Sequence, residues 1–351
     1  MEKINGINSI DGLPIYTLDE TVRMERKILY LIAVKNDLQN EWQNAAESKN
    51  LKNVIDFPDI FRKIKPQIVL NEQRRKPAME ITPLIGCSIN CLYCPQSRLL
   101  KVYKGSKEVY LKDFKEYLLK IPAEADIVFS GFVEPFLARD SIDMMEYAAG
   151  IGRNLHLYTT LSGLTEETFE RVKKINFRTV NLHLPDKNGY AKIPLNEHYY
   201  NILEAALEAK KVDGQPFIKK ASSQCEPEER AFALVKNKVP VSCKMSYRAG
   251  HLKGKNLVTR APLNKTDNFI YCSFNLDLTS NVLLPNGDVV ICCMDFGLRH
   301  VLGNLKTDSY STIINGEERE NILKGMSVGD VRKTLCYRCT EAYELTKENF
   351  K

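Results

Sequence analysis

The chain has 351 residues, of which 44% are hydrophobic and 27% are charged, as in a soluble globular protein with one large domain or a large and a small one. The formal net charge of +6 is spread over short basic stretches without interleaved aromatic residues, so no nucleic-acid groove is indicated. The first residues lack the apolar core of a secretory signal, and no apolar run is long enough to cross a membrane, which predicts a cytoplasmic protein without a membrane partner.

Residues 1–76 are predicted to form an N-terminal helical extension. Thr17 to Glu47 combines a capping residue, an acidic first turn and apolar residues at helical spacing. A second helix is predicted over Phe57 to Ile64. The residues of this extension indicate no chemistry.

Apolar strands alternate with amphipathic helices between residues 77 and 250. This alternation indicates right-handed βαβ units and a parallel sheet. Six units in a row predict an α/β fold, a partial (β/α)6 barrel that is open rather than closed. The predicted strands cover residues 78–84, 125–132, 154–162, 177–186, 215–223 and 239–250.

Residues 251–351 show a different pattern, with short strands and a helical C-terminal tail. Asn286-Gly287 lies between two runs of alternating apolar residues, which is a strong hairpin signal. A small C-terminal β-hairpin/helix domain is therefore predicted, and it begins in the polar stretch that follows residue 250.

Three cysteines, Cys87, Cys91 and Cys94, follow the first predicted strand within eight residues. Ten cysteines in the whole chain are too few for a disulfide scaffold, and clustered thiols in a reducing compartment are more often metal ligands or catalysts. Three thiolates would leave one iron of a 4Fe–4S cluster open to another ligand. A structural zinc site would need a fourth donor from elsewhere. The spacing by itself leaves both alternatives open.

The C-x-x-x-C-x-x-C spacing, with the aromatic residue Tyr93 before the third cysteine, resembles the signature of the radical S-adenosylmethionine (SAM) superfamily. The resemblance implies that Cys87, Cys91 and Cys94 hold a 4Fe–4S cluster whose open iron chelates SAM. It further implies that one electron splits SAM into methionine and a 5′-deoxyadenosyl radical, which abstracts hydrogen from a substrate C–H bond.

The stretch SGFVEP after the second predicted strand resembles the glycine-rich motif with which this family contacts the methionine amino group. Gly131, Glu134 and Pro135 match the motif, whereas Val133 stands where the family usually has glycine. The end of the third predicted strand resembles the family segment that reaches the ribose or carboxylate of SAM. The resemblance thus implies that Thr160 joins Tyr93 and the SGFVEP residues in binding SAM.

Four further cysteines, Cys272, Cys292, Cys336 and Cys339, accompany the predicted hairpin. Four thiolates suit one metal centre, and from the residues alone a zinc ribbon and an iron–sulfur cluster are both open. Beside the first motif, this pattern resembles the Twitch half of a SPASM domain, which implies one auxiliary 4Fe–4S cluster. Cys292 stands at the ligand position, and Cys293, which should point to the opposite face of the strand, is the alternative.

Candidate residues for the later steps of the reaction lie on the sixth predicted strand and at the end of the fourth. A thiol at Cys243 could return a hydrogen atom to a substrate radical, although a small buried hydrophobe is the more common role for such a cysteine. Tyr247 and Arg248 could face the substrate, and Arg248 could bind a carboxylate or phosphate or lower the pKa of an alcohol. His183 is a weaker candidate, and Asp186 is expected to cap its own turn.

The predicted function is that of a radical SAM oxidoreductase acting on a small polar molecule such as a sugar or aminocyclitol, by dehydrogenation or epimerisation. An electron donor such as flavodoxin or ferredoxin is expected as a partner. The small substrate is preferred because residues 1–76 do not read as a β-rich peptide-recognition module and only one auxiliary cluster can be built. The alternatives are a peptide maturase that forms a thioether or C–C crosslink, and a non-catalytic zinc-ribbon binding protein.

Overall fold

The computed structural model describes residues 76–252, 269–272, 275, 278–328 and 331–345, together with four short strands within residues 1–75. The chain divides into two compact units, one formed by residues 76–343 and the other by residues 1–75 with 344–351. Within these described ranges, no helix has both the length and the apolar character that a bilayer span needs.

The described parts of residues 1–75 are two pairs of short strands. Strand β1 (Ser9–Ile10) pairs antiparallel with β2 (Leu13–Pro14), and β3 (Tyr30–Ile32) pairs parallel with β4 (Val54–Asp56). Strand β3 lies within the stretch predicted to be helical, because a short apolar run with a tyrosine and an isoleucine suits a strand as well as a helix. The rest of that stretch and the second predicted helix lie outside the described residues.

Residues 76–343 are organised around one nine-stranded sheet that is not closed, in the order β10-β9-β8-β7-β6-β5-β12-β13-β14. Its first six strands run parallel and in chain order, which confirms the predicted α/β class and parallel arrangement. They are β5 (Ala78–Ile81), β6 (Asp126–Phe129), β7 (Leu155–Thr159), β8 (Phe177–His183), β9 (Lys220–Ser223) and β10 (Val241–Cys243).

Six helices connect these strands, and five of them lie where the sequence predicts them. Several begin at side-chain caps: Thr165 accepts a hydrogen bond from the Thr168 N–H, and Asn196 accepts one from the Tyr199 N–H. The first helix, directly after the cysteine loop, was not predicted, and it has neither a side-chain cap nor an acidic first turn to mark its start. The helices are α1 (Gln96–Val102), α2 (Leu111–Lys120), α3 (Ser141–Gly150), α4 (Glu166–Val172), α5 (Glu197–Glu208) and α6 (Glu229–Val235).

The two faces of the parallel strands differ in chemistry. One face is apolar and buried in the main core, with residues such as Met79, Ile81, Ile127, Phe129, Leu155, Leu157, Val180 and Leu182. Because side chains alternate along a strand, the residues between them lie on the opposite face. We call that opposite face the inner face. It is mainly polar and carries Glu80, His156, Tyr158, Thr179, Asn181 and His183.

The C-terminal part extends the same sheet. Strand β12 (Ser280–Leu283) pairs parallel with β5, while β13 (Asp288–Val290) pairs antiparallel with β12 and with β14 (Val301–Asn304), which confirms the predicted hairpin. The predicted boundary near residue 250 falls beside residues 253–268, which lie outside the described ranges. The remaining elements are β11 (Phe269–Cys272), α7 (Tyr310–Ile314), α8 (Glu317–Val328) and β15 (Ala342–Leu345), and β15 pairs with β11.

The hairpin turn depends on Gly287, which has a φ of +91°, and a Cβ there would lie 2.6 Å from Oδ1 of Asn304. We expect Gly287→Ala to lower the free energy of unfolding by roughly 2–4 kcal/mol, since the left-handed backbone and the overlap both add cost. Gly214 has a φ of +78° with nothing within 4 Å of such a Cβ. Gly214→Ala should therefore lower the free energy of unfolding only through the left-handed backbone conformation, by about 1 kcal/mol. Urea denaturation measures both, and equal losses would contradict the role of Asn304.

Candidate cluster and cofactor site

The first cysteine group lies in the loop between β5 and α1. Cys87, Cys91 and Cys94 are all partly buried, and the Cys94 N–H donates a hydrogen bond to the Cys91 carbonyl at 3.0 Å. Burial, followed by the neighbouring Cys94 and Cys87 thiols, raises the pKa of Cys91 to about 12. Free thiolates are thus costly here, whereas a cationic cluster would compensate their charge. This donor set fits an iron–sulfur cluster.

A neighbouring loop supports the cysteine loop through two backbone hydrogen bonds. The Leu92 N–H donates to the Tyr190 carbonyl at 2.9 Å, and the Lys192 N–H donates to the Ile89 carbonyl at 3.1 Å. These bonds fix the chain on either side of Cys91. The loop that follows β8 is therefore part of the framework of the first cysteine group.

Asp186 organises that supporting loop. Its carboxylate is buried and accepts hydrogen bonds from the N–H groups of Asn188 at 3.1 Å, Tyr190 at 2.9 Å and Ala191 at 2.8 Å. The expectation that Asp186 caps its own turn is confirmed. Its influence extends further, because Tyr190 also bonds to the cysteine loop.

Tyr93 is buried beside the cysteines, and its hydroxyl donates a hydrogen bond to the Cys91 thiol. Burial, together with the nearby Cys91 and Asp186, raises the pKa of Tyr93 well above its usual range, so the hydroxyl keeps its proton. The contact places Tyr93 next to a cluster-ligand candidate. Its predicted contact with SAM stays a prediction.

The SGFVEP stretch follows β6 and packs directly against the end of β5. Gly131 has a φ of +64°, and a Cβ at this position would overlap the Thr82 hydroxyl. The same hydroxyl accepts a hydrogen bond from the Phe132 N–H at 3.2 Å. Val133 is buried, and Pro135 begins a short 3-10 turn. The valine that replaces the usual glycine is accommodated without opening the loop.

Glu134 lies at the centre of this region and is only 5% exposed. Its carboxylate accepts hydrogen bonds from the Thr159 hydroxyl at 2.7 Å and from the Thr160 N–H and hydroxyl at 2.6 and 2.8 Å. Burial raises the pKa of Glu134 to about 7, although these hydrogen bonds oppose the shift. The Glu134 backbone also hydrogen-bonds the Cys87 thiol. The structure therefore brings Glu134, Thr160 and the first cysteine group together.

The described contacts bring three of the four cysteines of the second group, Cys292, Cys336 and Cys339, near one another. Burial, followed by Cys293, Cys339 and Cys336, raises the pKa of Cys292 well above its usual range, so Cys292 lies close to the late cysteine pair. The Cys339 N–H donates to the Cys336 carbonyl at 3.1 Å. Cys272 ends β11 and is partly buried against the main core. In the part of the chain that the structure describes, no three acidic, histidine or cysteine side chains surround a single-ion position.

Cys293 points away from this second group. Its thiol donates a hydrogen bond to Glu80, and Arg248 lies within electrostatic reach. Cys293 and Cys94 both pack against a small apolar cluster that contains Phe132 and Phe296, whose rings are 4.6 Å apart. The adjacent cysteines 292 and 293 thus belong to different environments, as the alternation along an extended chain predicts.

His300 supports the turn that carries Cys336 and was not predicted from the sequence. Its Nε2 accepts a hydrogen bond from the Leu335 N–H at 3.1 Å, so its proton lies on Nδ1, which is 2.6 Å from Oε1 of Glu318. The backbone N–H of His300 donates a hydrogen bond to Oδ2 of Asp295 at 2.8 Å. A single histidine in a polar loop gives no sequence signal for this role.

The three predicted catalytic residues lie in different environments. Cys243 is exposed on β10, the edge strand of the sheet, and its thiol donates to the Cys225 carbonyl at 2.9 Å, so it is not a buried hydrophobe. Tyr247 precedes a short 3-10 turn that begins at Arg248. Arg248 and Ala249 have φ values of +48° and +50°, a strained conformation for residues with a side chain. Arg248 lies near Cys91 and Cys94, whereas no described contact links Cys243 to the cysteine groups.

Sequence reasoning missed the polar residues of the inner face, above all Glu80. The available signal was an acid in the middle of an otherwise apolar strand, AMEITPL, immediately before the cysteine loop. Tyr158 and Asn181 gave the same signal in the next strands. A buried strand rarely carries such residues unless they meet partners or a ligand.

We expect Asp186→Ala to lower the free energy of unfolding by roughly 2–3 kcal/mol, because three N–H groups would lose their shared, buried acceptor. Asp213 accepts a similar hydrogen bond, from the Gln215 N–H, in an exposed turn, so Asp213→Ala is the matched control and should cost less than about 1 kcal/mol. Chemical denaturation measures both variants. Equal effects would show that Asp186 has no special role in supporting the cysteine loop.

Comparison with known proteins agrees with this geometry. Residues 81–217 match the family described as the radical SAM superfamily, and residues 272–340 match SPASM, described as an iron–sulfur cluster-binding domain. Together the two matches span more than half of the chain. No curated protein shows significant similarity to it.

Solved structures also resemble this chain. BtrN in complex with AdoMet and 2-DOIA is 16% identical, with a TM-score of 0.51, over 78% of this chain and 95% of BtrN. Streptococcus suis SuiB bound to the precursor peptide SuiA is 13% identical, with a TM-score of 0.48, over 84% of this chain and 82% of SuiB. The likeness to BtrN concerns the fold.

Proposed function

Since the chain belongs to the radical SAM superfamily and carries a C-terminal SPASM domain, we propose that it is an oxidoreductase acting on a C–H bond of a small polar substrate. The observation that carries this proposal is the polar inner face of the sheet, which ends beside the first cysteine group. An inner face built for a packed core would be apolar. A polar one fits a hydrophilic ligand.

The first cysteine group is proposed to hold the 4Fe–4S cluster through Cys87, Cys91 and Cys94. When bound, the cluster and SAM supply a 5′-deoxyadenosyl radical that takes a hydrogen atom from the substrate. Glu134 is proposed to bind the methionine ammonium group, whose charge would favour the ionised carboxylate in this buried position. Thr160 holds Glu134 in place through two hydrogen bonds and need not contact SAM itself.

The second cysteine group is proposed to hold one auxiliary 4Fe–4S cluster through Cys272, Cys292, Cys336 and Cys339. The match to an iron–sulfur cluster-binding domain favours iron over the zinc-ribbon alternative. The proximity of Cys292 to Cys336 and Cys339 supports this ligand set. A flavodoxin or ferredoxin as the electron donor stays a prediction.

The choice between dehydrogenation and epimerisation depends on the fate of the substrate radical. An epimerase needs a protein group that returns a hydrogen atom, and Cys243 is poorly placed for this because it is exposed at the sheet edge. A dehydrogenase needs an acceptor for one electron, which an auxiliary cluster can provide. We therefore favour dehydrogenation. The structure of BtrN in complex with AdoMet and 2-DOIA shows that a similar fold holds a second ligand beside AdoMet.

Anaerobic reconstitution with iron, sulfide, SAM and dithionite tests this function. The wild type should form 5′-deoxyadenosine, and Cys91→Ala should lose at least about 100-fold of this activity because the cluster loses a ligand. Cys225→Ala is the matched control. Formation of 5′-deoxyadenosine by Cys91→Ala at the wild-type rate would refute the assignment.

The product formed from a substrate distinguishes the possible reactions. A product lighter by two hydrogens indicates dehydrogenation, and a product of equal mass that contains solvent hydrogen indicates epimerisation. A crosslinked peptide indicates a maturase.

The adjacent cysteines allow a paired test of the auxiliary cluster. The wild type should bind about eight iron atoms per chain, and Cys292→Ala should fall towards about four because one four-iron cluster is weakened. Cys293→Ala should keep the wild-type content because its thiol faces Glu80. Iron and acid-labile sulfide analysis measures both. The reverse result would make Cys293 the ligand.

A further inference from the structure

The inner face carries an acidic group that is tied to the proposed SAM loop. Oε2 of Glu80 accepts hydrogen bonds from the Ser130 hydroxyl at 3.1 Å and the Gly131 N–H at 3.3 Å. The Cys293 thiol donates a third. Because Ser130 and Gly131 begin the SGFVEP stretch, Glu80 lies immediately beside the region assigned to the cofactor.

A cationic group lies near this carboxylate. Arg248 is within electrostatic reach of Glu80, Cys94 and Cys293, and its guanidinium carbon is 5.9 Å from the centre of the Phe296 ring. Its Nε is buried and has no hydrogen-bond partner among the described residues. The backbone of Arg248 has a φ of +48°, a strained conformation. A buried guanidinium N–H without a described partner, close to a carboxylate, calls for a ligand that satisfies it.

Most of the other described side chains of the wall are polar. The rings of Tyr158 and His183 are in edge contact at 6.0 Å, and Asn181 is buried with an Oδ1 that has no partner among the described residues. Burial, followed by Arg248 and Lys220, lowers the pKa of His183 to about 4, so its imidazole is neutral. The wall therefore offers hydrogen-bonding groups. Burial raises the pKa of Glu80 above its usual range, and Arg248 opposes this shift.

We propose that Glu80 and Arg248 form a substrate site for a polyhydroxylated small molecule with adjacent oxygen atoms, or an adjacent oxygen and nitrogen, as in a vicinal diol or an amino alcohol. Arg248 donates to one oxygen, and Glu80 accepts the hydrogen of the neighbouring hydroxyl or amino group. A diol or amino alcohol can accept a hydrogen bond from Arg248 and donate one to Glu80 from the neighbouring atom. An ionised phosphate offers only acceptors, so it suits Arg248 but not Glu80. This inference rests on the proposed function and specifies its substrate class.

The site is tested by calorimetric titration of the cluster-loaded, SAM-bound protein with three probes. These are myo-inositol as a vicinal diol, glucosamine as an amino alcohol and inorganic phosphate as an anion. We expect Glu80→Gln and Arg248→Met to bind the first two probes roughly 10- to 100-fold more weakly than the wild type, since each loses a charged hydrogen bond. Arg248→Lys keeps the positive charge but loses the planar guanidinium group. Its affinity for the first two probes should therefore lie between those of the wild type and Arg248→Met. Glu116→Gln, on the exposed side of α2, is the control.

Each outcome bears on the proposal. A wild type that binds neither diol nor amino alcohol, or that binds the phosphate more tightly than both, overturns the site. So does a Glu80→Gln variant that matches the wild type. If Glu80→Gln loses iron or thermal stability, the two Arg248 variants decide the matter by the same titrations. Failure of the wild type to hold iron or cleave SAM would refute the proposed function instead, and this is measured before any probe is added.

Discussion

Every strand in the parallel part of the sheet has to bury one side against helices, and this constraint determines what the other side can carry. Met79 and Ile81 pack into the core, so Glu80 between them has to face the inner side. The same alternation places Tyr158 and Asn181 on the inner face of β7 and β8. Since parallel strands end at a common edge, these side chains and the loops of that edge form one site. The polar inner face is a direct consequence of how the helices are packed.

Glu134 shows how the loops of that edge become a single framework. Its buried carboxylate joins the loop after β6 to Thr159 and Thr160 at the end of β7, and its backbone contacts Cys87 after β5. Asp186 holds the loop after β8 in shape through three N–H groups of that same loop, and backbone hydrogen bonds then join the loop to the cysteine loop after β5. The loops after four successive strands are therefore connected, with one buried carboxylate in each of two of them. Buried acceptors of this kind are costly to leave unpaired, so they restrict the loops more than surface contacts would.

The sequence predicted those parts of the molecule that depend on local pattern. The parallel strands, most helices and the Asn286-Gly287 hairpin follow from periodicity and turn chemistry, and the cysteine groups follow from spacing. It did not predict that β12 pairs with β5, because nothing local encodes a contact between residues about two hundred positions apart. Glu80 and His300 were missed for the same reason. Their partners, Gly131 and Leu335, come from other segments of the chain.

The pairing of β12 with β5 also explains why two cysteine groups can share one wall. β5 carries Glu80 and leads into the first cysteine loop, while the hairpin begun by β12 leads to Cys292 and Cys293. Backbone hydrogen bonds fix the register between them, so their separation is set by the sheet rather than by a linker. Alternation then directs Cys292 towards Cys336 and Cys339, and Cys293 towards Glu80. The inner face that carries Glu80 and the hairpin that leads to the second cysteine group are therefore parts of one continuous sheet.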